Sequence, residues 1–147
     1  MISSIQDAAY YVQGNPESKN IVYGFHEPNC GYCAKSVNII SKIEGDYQVR
    51  WLPVAFLAEN SASAAHALLH SHDVIDDMIK IKAGFIDLPV ASSDTLAAID
   101  YNGNLMKEFG IKGTPAFFKI ENGWFWSCGE RAHKCLTLHV FRRLDAR

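Results

Sequence analysis

The sequence predicts an α/β fold, one mixed sheet flanked by helices, and three observations carry that prediction. Ile21-Val22-Tyr23-Gly24-Phe25 is a short apolar run of strand type, followed by a helical pattern and then a second strand-like run. A long helical block comes next, from Asn60 to Phe109. Last, Glu121-Asn122-Gly123 separates two β-rich runs, the arrangement of a hairpin. A β-α-β unit, a helical block, a hairpin and a closing helix build a single layered domain over residues 1–147.

Each element has its own reason. Ile5, Ala8, Ala9 and Val12 share a helical face, so residues 4–13 are read as a short amphipathic helix stopped by Gly14-Asn15-Pro16. The strand at 20–26 follows. Val37, Ile40 and Ile43 place a helix over about 31–44. Gly45-Asp46 turns into a strand from Tyr47 to Val54, in which Val49 and Trp51 alternate with polar neighbours and Pro53 marks an end or an edge. From Asn60 to about Ala83 the pattern is helical in two pieces, with Asp73 as an N-cap between them. Gly84 to Ser93 is irregular. Asp94 to Phe109 is read as a helix in two parts, interrupted at Asn102-Gly103. Thr114 to Ile120 and Trp124-Phe125-Trp126 are the hairpin strands, and residues 130–144 form a terminal helix.

The chemistry is concentrated in Cys30-Gly31-Tyr32-Cys33, at the first turn of the helix that leaves the first strand of the β-α-β unit. Free backbone N–H groups and the positive end of the helix dipole favour a thiolate at that position. The thiolate is the nucleophile of thiol–disulfide exchange, so the setting points to a redox pair. Cys30, first in the turn, is read as the nucleophile and Cys33 as the resolving thiol. Haem attachment needs His after the second Cys, and residue 34 is Ala. Zinc binding stays an alternative, with Cys128, Cys135 and His133 as further ligands, although Cys128 and Cys135 lie seven apart rather than repeating the C-x-x-C knuckle. The same two cysteines are read as a structural disulfide closing a short loop, contributing about 2 kcal/mol; the competing reading is two buried thiols.

Composition narrows the classes of function. The chain has 147 residues, 48% of them hydrophobic, with a formal net charge of −2, enough for one ordinary core. Arg142, Arg143 and Arg147 are the solvated charges of a helix end, and no basic stripe suggests nucleic acid. Nothing approaches the ~18 apolar residues of a membrane span. Residues 1–7 lack the basic and apolar regions of a secretory signal, which leaves a cytoplasmic protein or a signal already removed. No cofactor or metal is called for.

Three blocks, in order, resemble the bacterial DsbC/DsbG disulfide isomerase family. Ile21 to Cys33 is similar to its active-site segment: a hydrophobic strand ending in Phe, an acidic residue (here Glu27) and C-x-Y-C. Tyr47 to Leu52 is similar to its second strand, and Asn104 to Ala116 to its helix-to-cis-proline segment. The similarity runs from about residue 10 to the C-terminus. It implies a thioredoxin fold with a helical insertion at about 60–110, and residues 1–14 matching at most a linker helix. It further implies disulfide exchange with cysteine-containing protein substrates, a periplasmic setting, and a membrane redox partner that resets the pair. Gly31, Tyr32 and Glu27 would tune the couple. A cis Thr114–Pro115 loop would face the thiols and pair with an extended substrate segment. The family's N-terminal dimerisation domain has no match in residues 1–147, so a dimer built through it is not expected of this sequence as given. Gly24 stands six residues before Cys30, where thioredoxins carry an acid.

Other residues are weaker candidates. His26 and Glu27 are read as a proton relay or, equally, as a solvated strand-end pair. His66 and His70 have metal-ligand spacing with His72 nearby, but no further ligand completes a site, which favours surface histidines. Trp124, Phe125 and Trp126 are read as hairpin core.

Overall fold

The computed structural model describes residues 2–136. A 3₁₀ turn over Ile2–Asp7 leads into β1 (Tyr11–Gly14), β2 (Ile21–His26), α1 (Gly31–Ile40) and β3 (Gln48–Pro53). Three helices follow, α2 (Ser61–Leu69), α3 (Val74–Lys82) and α4 (Ser93–Glu108). The hairpin β4 (Ala116–Glu121) and β5 (Trp124–Gly129) and the helix α5 (Ala132–Leu136) close the described chain. The helix read for 130–144 begins at Ala132, and its part beyond Leu136 lies outside the described residues, as do Arg142, Arg143 and Arg147.

The five strands form one mixed sheet in the order β1-β3-β2-β4-β5. β2 and β3 run parallel from Ile21↔Gln48 to His26↔Pro53, joined by α1 as their crossover. All other pairings are antiparallel. Pro53 ends β3, where its missing N–H interrupts no ladder. The β4–β5 turn has Asn122 at φ 52° and Gly123 at φ 79°, the left-handed pair that an Asn-Gly hairpin needs.

Three expectations are corrected. Residues 11–14 are a strand, not the end of a helix. Tyr10, Tyr11 and Val12 are β-favouring, and the alternation of the strand sends Tyr11 and Gln13 inward. Gln13 is satisfied at both ends of its amide: Nε2 donates to the Val37 carbonyl at 2.9 Å, and Oε1 accepts from Trp51 Nε1 at 3.1 Å. The second correction is α4, which runs unbroken through Asn102-Gly103. Asn102 is fully buried, and its Nδ2 donates to the carbonyls of Ala9 and Pro53; these tertiary bonds outweigh the weak helix propensity of Asn-Gly. The α1 helix is also shorter than 31–44, ending at Ile40. The Tyr47 hydroxyl lies 2.7 Å from both the Ile40 and Ile43 carbonyl oxygens at the end of the helix, where the Ile40 carbonyl also accepts from Ile43 N at 3.0 Å. Asp73 caps α3 as expected, accepting from Asp76 N.

The sheet separates two cores. One gathers Val22, Val37, Ile40, Val49, Trp51 and Phe117 beneath α1 and α5. The other gathers Phe25, Leu52, Val54, Leu105, Met106 and Phe118 beneath α4. Gly24 is explained by the first. A Cβ there would lie 2.9 Å from both Phe117 Cε1 and Trp51 Cζ3, so the two rings fill the space a side chain would need. Gly24→Ala is therefore expected to destabilise the fold by about 1–3 kcal/mol, the usual cost of overpacking a dense core. Denaturant unfolding checks this, and an unchanged midpoint contradicts it.

Candidate active site

The chain leaves β2 at His26 and turns through residues 27–30 into α1, with Cys30 N donating to the Glu27 carbonyl at 2.9 Å. Cys30 is the N-cap of α1. Its backbone is extended (φ −80°, ψ 117°), and its Sγ accepts from Cys33 N at 3.2 Å. The sulfur thus takes the place that a Ser or Asp oxygen fills in an ordinary cap, at the positive end of the helix. It also lies 3.4 Å from the Thr114 carbonyl oxygen, and the Thr114–Pro115 peptide is cis. Both Cys30 and Cys33 are free thiols. Cys30 keeps 7% of its surface and Cys33 none. Burial first, and then the hydrogen bond with Cys30, push the Cys33 thiol up to about 12. Gly31 and Tyr32 face outward: a Cβ at Gly31 would meet nothing within 4 Å, and Tyr32 is 72% exposed, with Lys35 Nζ 6.0 Å from its ring centroid.

His26 and Glu27 are both buried, which removes the reading of a solvated strand-end pair. The His26 Nδ1 is hydrogen-bonded to the Tyr11 hydroxyl, and its ring meets Trp51 edge-on at 5.2 Å. Burial lowers the imidazole to about 3. Burial also raises the Tyr11 phenol, helped by the nearby Cys33 and Glu27 charges. The Glu27 carboxylate is enclosed by donors: Asn29 N (2.7 Å) and Ser61 Oγ (3.0 Å) reach Oε1, while Phe56 N (2.8 Å) and Leu57 N (2.5 Å) reach Oε2.

The other candidates stand apart from this centre. Cys128 and Cys135 are joined as a disulfide with Cα atoms 5.5 Å apart, between the end of β5 and α5. His66 and His70 stack at 4.2 Å, with Nδ1 of His66 on Thr95 Oγ1 and Nδ1 of His70 on the His66 carbonyl. Among the described residues, no group of three or more His, Cys, Asp or Glu is placed to hold a metal ion. Phe125 packs on Phe118 and Phe109 in the second core, while Trp124 is exposed.

The sequence does not single out Tyr11, Asn29 or Ser61 as parts of this region. The run Tyr10-Tyr11-Val12 did carry a strand signal for Tyr11. Asn29 and Ser61 meet across 32 residues, through Asn29 Nδ2 and Ser61 Oγ at 2.9 Å, and no local pattern announces such a contact.

No protein-family model matches the chain. The catalytic domain of Proteus mirabilis ScsC superposes with a TM-score of 0.63 at 24% identity, covering 98% of this chain and 97% of that one. A periplasmic thioredoxin-like protein from Salmonella enterica serovar Typhimurium gives a TM-score of 0.59 at 23% identity, covering 90% and 87%. The fold is that of thioredoxin-like proteins. In sequence, the chain is 27% identical over 131 residues to the thiol:disulfide interchange protein DsbG of Pseudomonas aeruginosa. That similarity covers 82% of this chain and 50% of the relative, so the chain spans about half the length of the curated protein it matches.

Two outcomes are expected. In the unfolded chain His26 takes a proton near its ordinary 6.5, whereas the folded state refuses it down to about 3. The unfolded state therefore binds the extra proton in that interval, and this contribution to stability, complete above about 6.5, is lost as pH falls toward 3. Urea unfolding across the interval should decline less steeply for His26→Gln than for wild type; an equal slope contradicts the assignment. Second, iodoacetamide at neutral pH should label Cys30 of the reduced, folded protein and leave Cys33 unmodified, as mapped by peptide mass. Modification of Cys33 first would reverse the order.

Proposed function

We propose that the chain is a thiol–disulfide oxidoreductase, exchanging disulfides with cysteine-containing protein substrates through Cys30 and Cys33. The observation that carries this reading is the placement of the Cys30 sulfur at the N-terminus of α1 and against the Thr114 carbonyl, with Cys33 buried behind it. The similarity to a thiol:disulfide interchange protein supports the same reading.

The steps follow from the geometry. Cys30, as thiolate, attacks one sulfur of a substrate disulfide; a Cys30–substrate disulfide forms and the other substrate sulfur leaves as a thiolate. The cis Thr114–Pro115 loop lies beside Cys30, with the Thr114 carbonyl 3.4 Å from Sγ, and an extended substrate segment pairs with the backbone there. The Cys33 thiol then gives its proton to the departing thiolate and attacks the Cys30 sulfur. The second substrate sulfur is expelled, leaving Cys30–Cys33 oxidised and the substrate reduced. Cys33 is slow to ionise because it is buried. Where another thiol of the substrate attacks the mixed disulfide before Cys33 does, the outcome is isomerisation; where Cys33 attacks first, it is net reduction. Gly31 and Tyr32, open to solvent, act on the couple without adding a charge.

This chemistry suits the periplasm, the compartment named for the Salmonella thioredoxin-like protein, and there a membrane redox partner would reset the pair. No helix among the described residues is long and apolar enough to cross a membrane.

The test compares refolding of a scrambled disulfide protein with reduction of insulin. Wild type should be active in at least one assay, Cys30→Ser in neither. Cys33→Ser should accumulate a mixed disulfide with substrate, seen as a higher-mass band on a non-reducing gel. Activity surviving in Cys30→Ser would overturn the mechanism.

A further inference from the structure

Glu27 has no exposed surface, yet its carboxylate is fully used. Both oxygens accept two hydrogen bonds, three of the four from backbone N–H groups. The fourth partner, Ser61 Oγ, already accepts from Ala58 N at 3.2 Å and from Asn29 Nδ2 at 2.9 Å, so its own proton is directed to Glu27. Glu27 is therefore an acceptor in every contact. A group with no free lone pair and no path to solvent is poorly placed to shuttle protons, which sets aside the relay reading. What it does instead is mechanical. One oxygen fixes the turn at Asn29, next to Cys30; the other fixes the backbone of Phe56 and Leu57.

The segment held this way is unusual on its outer side. Phe56 is 56% exposed and Leu57 52% exposed, although both backbone N–H groups are anchored inward. From Phe56 a groove of about 640 Å³ runs to Ile111 and Lys112, with Met106 in its wall. Ile111 and Lys112 shortly precede Thr114, whose carbonyl faces Cys30. The groove beside Phe56 thus ends on the segment that leads into Thr114.

We propose that Glu27 is a positioning residue that ties Phe56 and Leu57 to the turn carrying Cys30, as an apolar contact for the polypeptide flanking a substrate disulfide. This rests on the oxidoreductase reading and extends it to substrate class: protein disulfides with apolar flanking residues are favoured over small disulfides. Glu27→Gln must turn an amide N–H₂ toward donors whichever way it is oriented, so two of the four bonds are lost and the segment is released.

The experiment measures kcat/KM for insulin and for 2-hydroxyethyl disulfide, with dithiothreitol as the terminal reductant, in wild type, Glu27→Gln, Phe56→Ser and Leu57→Ser. The ratio of the two kcat/KM values should fall roughly fivefold or more in each variant, through a higher KM for insulin, as expected when substrate binding is lost. Ser61→Ala, which removes one donor and keeps the carboxylate, should shift the ratio in the same direction, and it decides the role of the anchor if Glu27→Gln does not fold. An unchanged ratio in Phe56→Ser and Leu57→Ser overturns the inference. Equal losses on both substrates in Glu27→Gln, or an unshifted ratio in Ser61→Ala, overturn the part assigned to Glu27. A wild type inert toward both disulfides overturns the oxidoreductase reading itself, a separate result.

Discussion

Six consecutive residues of β2 run parallel to six of β3, and that pairing constrains everything around the thiols. A parallel pair cannot be closed by a tight turn; the chain must cross from the end of one strand to the start of the next, and α1 does this. The helix therefore begins just beyond the carboxyl end of β2, with its unpaired N–H groups and positive pole there. Cys30 sits at that junction because the sheet puts a helix start there. The antiparallel entry of β4 beside β2, with Phe25 opposite Ala116, brings Thr114 to the same end of the sheet. The nucleophile and the loop it faces are 84 residues apart in sequence, yet one strand order explains their meeting.

Around this junction the protein buries polar groups and satisfies them. Gln13 bridges α1 and Trp51, Tyr11 meets His26, and the Glu27 carboxylate gathers four donors. A buried polar atom without a partner is costly, whereas a satisfied network selects one arrangement over near alternatives. The region that must hold two sulfurs in register is built from such networks. The second core under α4 relies instead on stacked rings, with Phe118 against Tyr23 and Phe125.

Much of the site was legible because its signals are local. C-x-x-C after an apolar strand placed Cys30 at a helix start. Asn122-Gly123 announced the hairpin, and Asp73 announced a cap. The failures have a common cause. Residues 4–13 fit a helical face through Ile5, Ala8, Ala9 and Val12, and only pairing with β3 shows that Tyr11 and Gln13 point inward along a strand. Asn102-Gly103 reads as a break until Asn102 is seen bonded to Ala9 and Pro53. His26 and Glu27, at the end of β2, read equally as a relay or a solvated pair; the distant groups that enclose them come from β1, β3 and residues 56–61, beyond any sequence window.

That separation bears on how the centre comes into being. The contacts of the Glu27 side chain with Phe56, Leu57 and Ser61 span 29, 30 and 34 residues. Closing loops of that length is an entropic cost met before the contacts form, so such pairings assemble later than a helix or a hairpin. As the chain emerges from the N-terminus, Cys30 and Cys33 are therefore present before the distant residues that brace their turn. During that interval they are two ordinary thiols of an unfolded polypeptide, open to whatever oxidant surrounds them. The bracing of that turn through Glu27 is complete only when Ser61 has joined the fold.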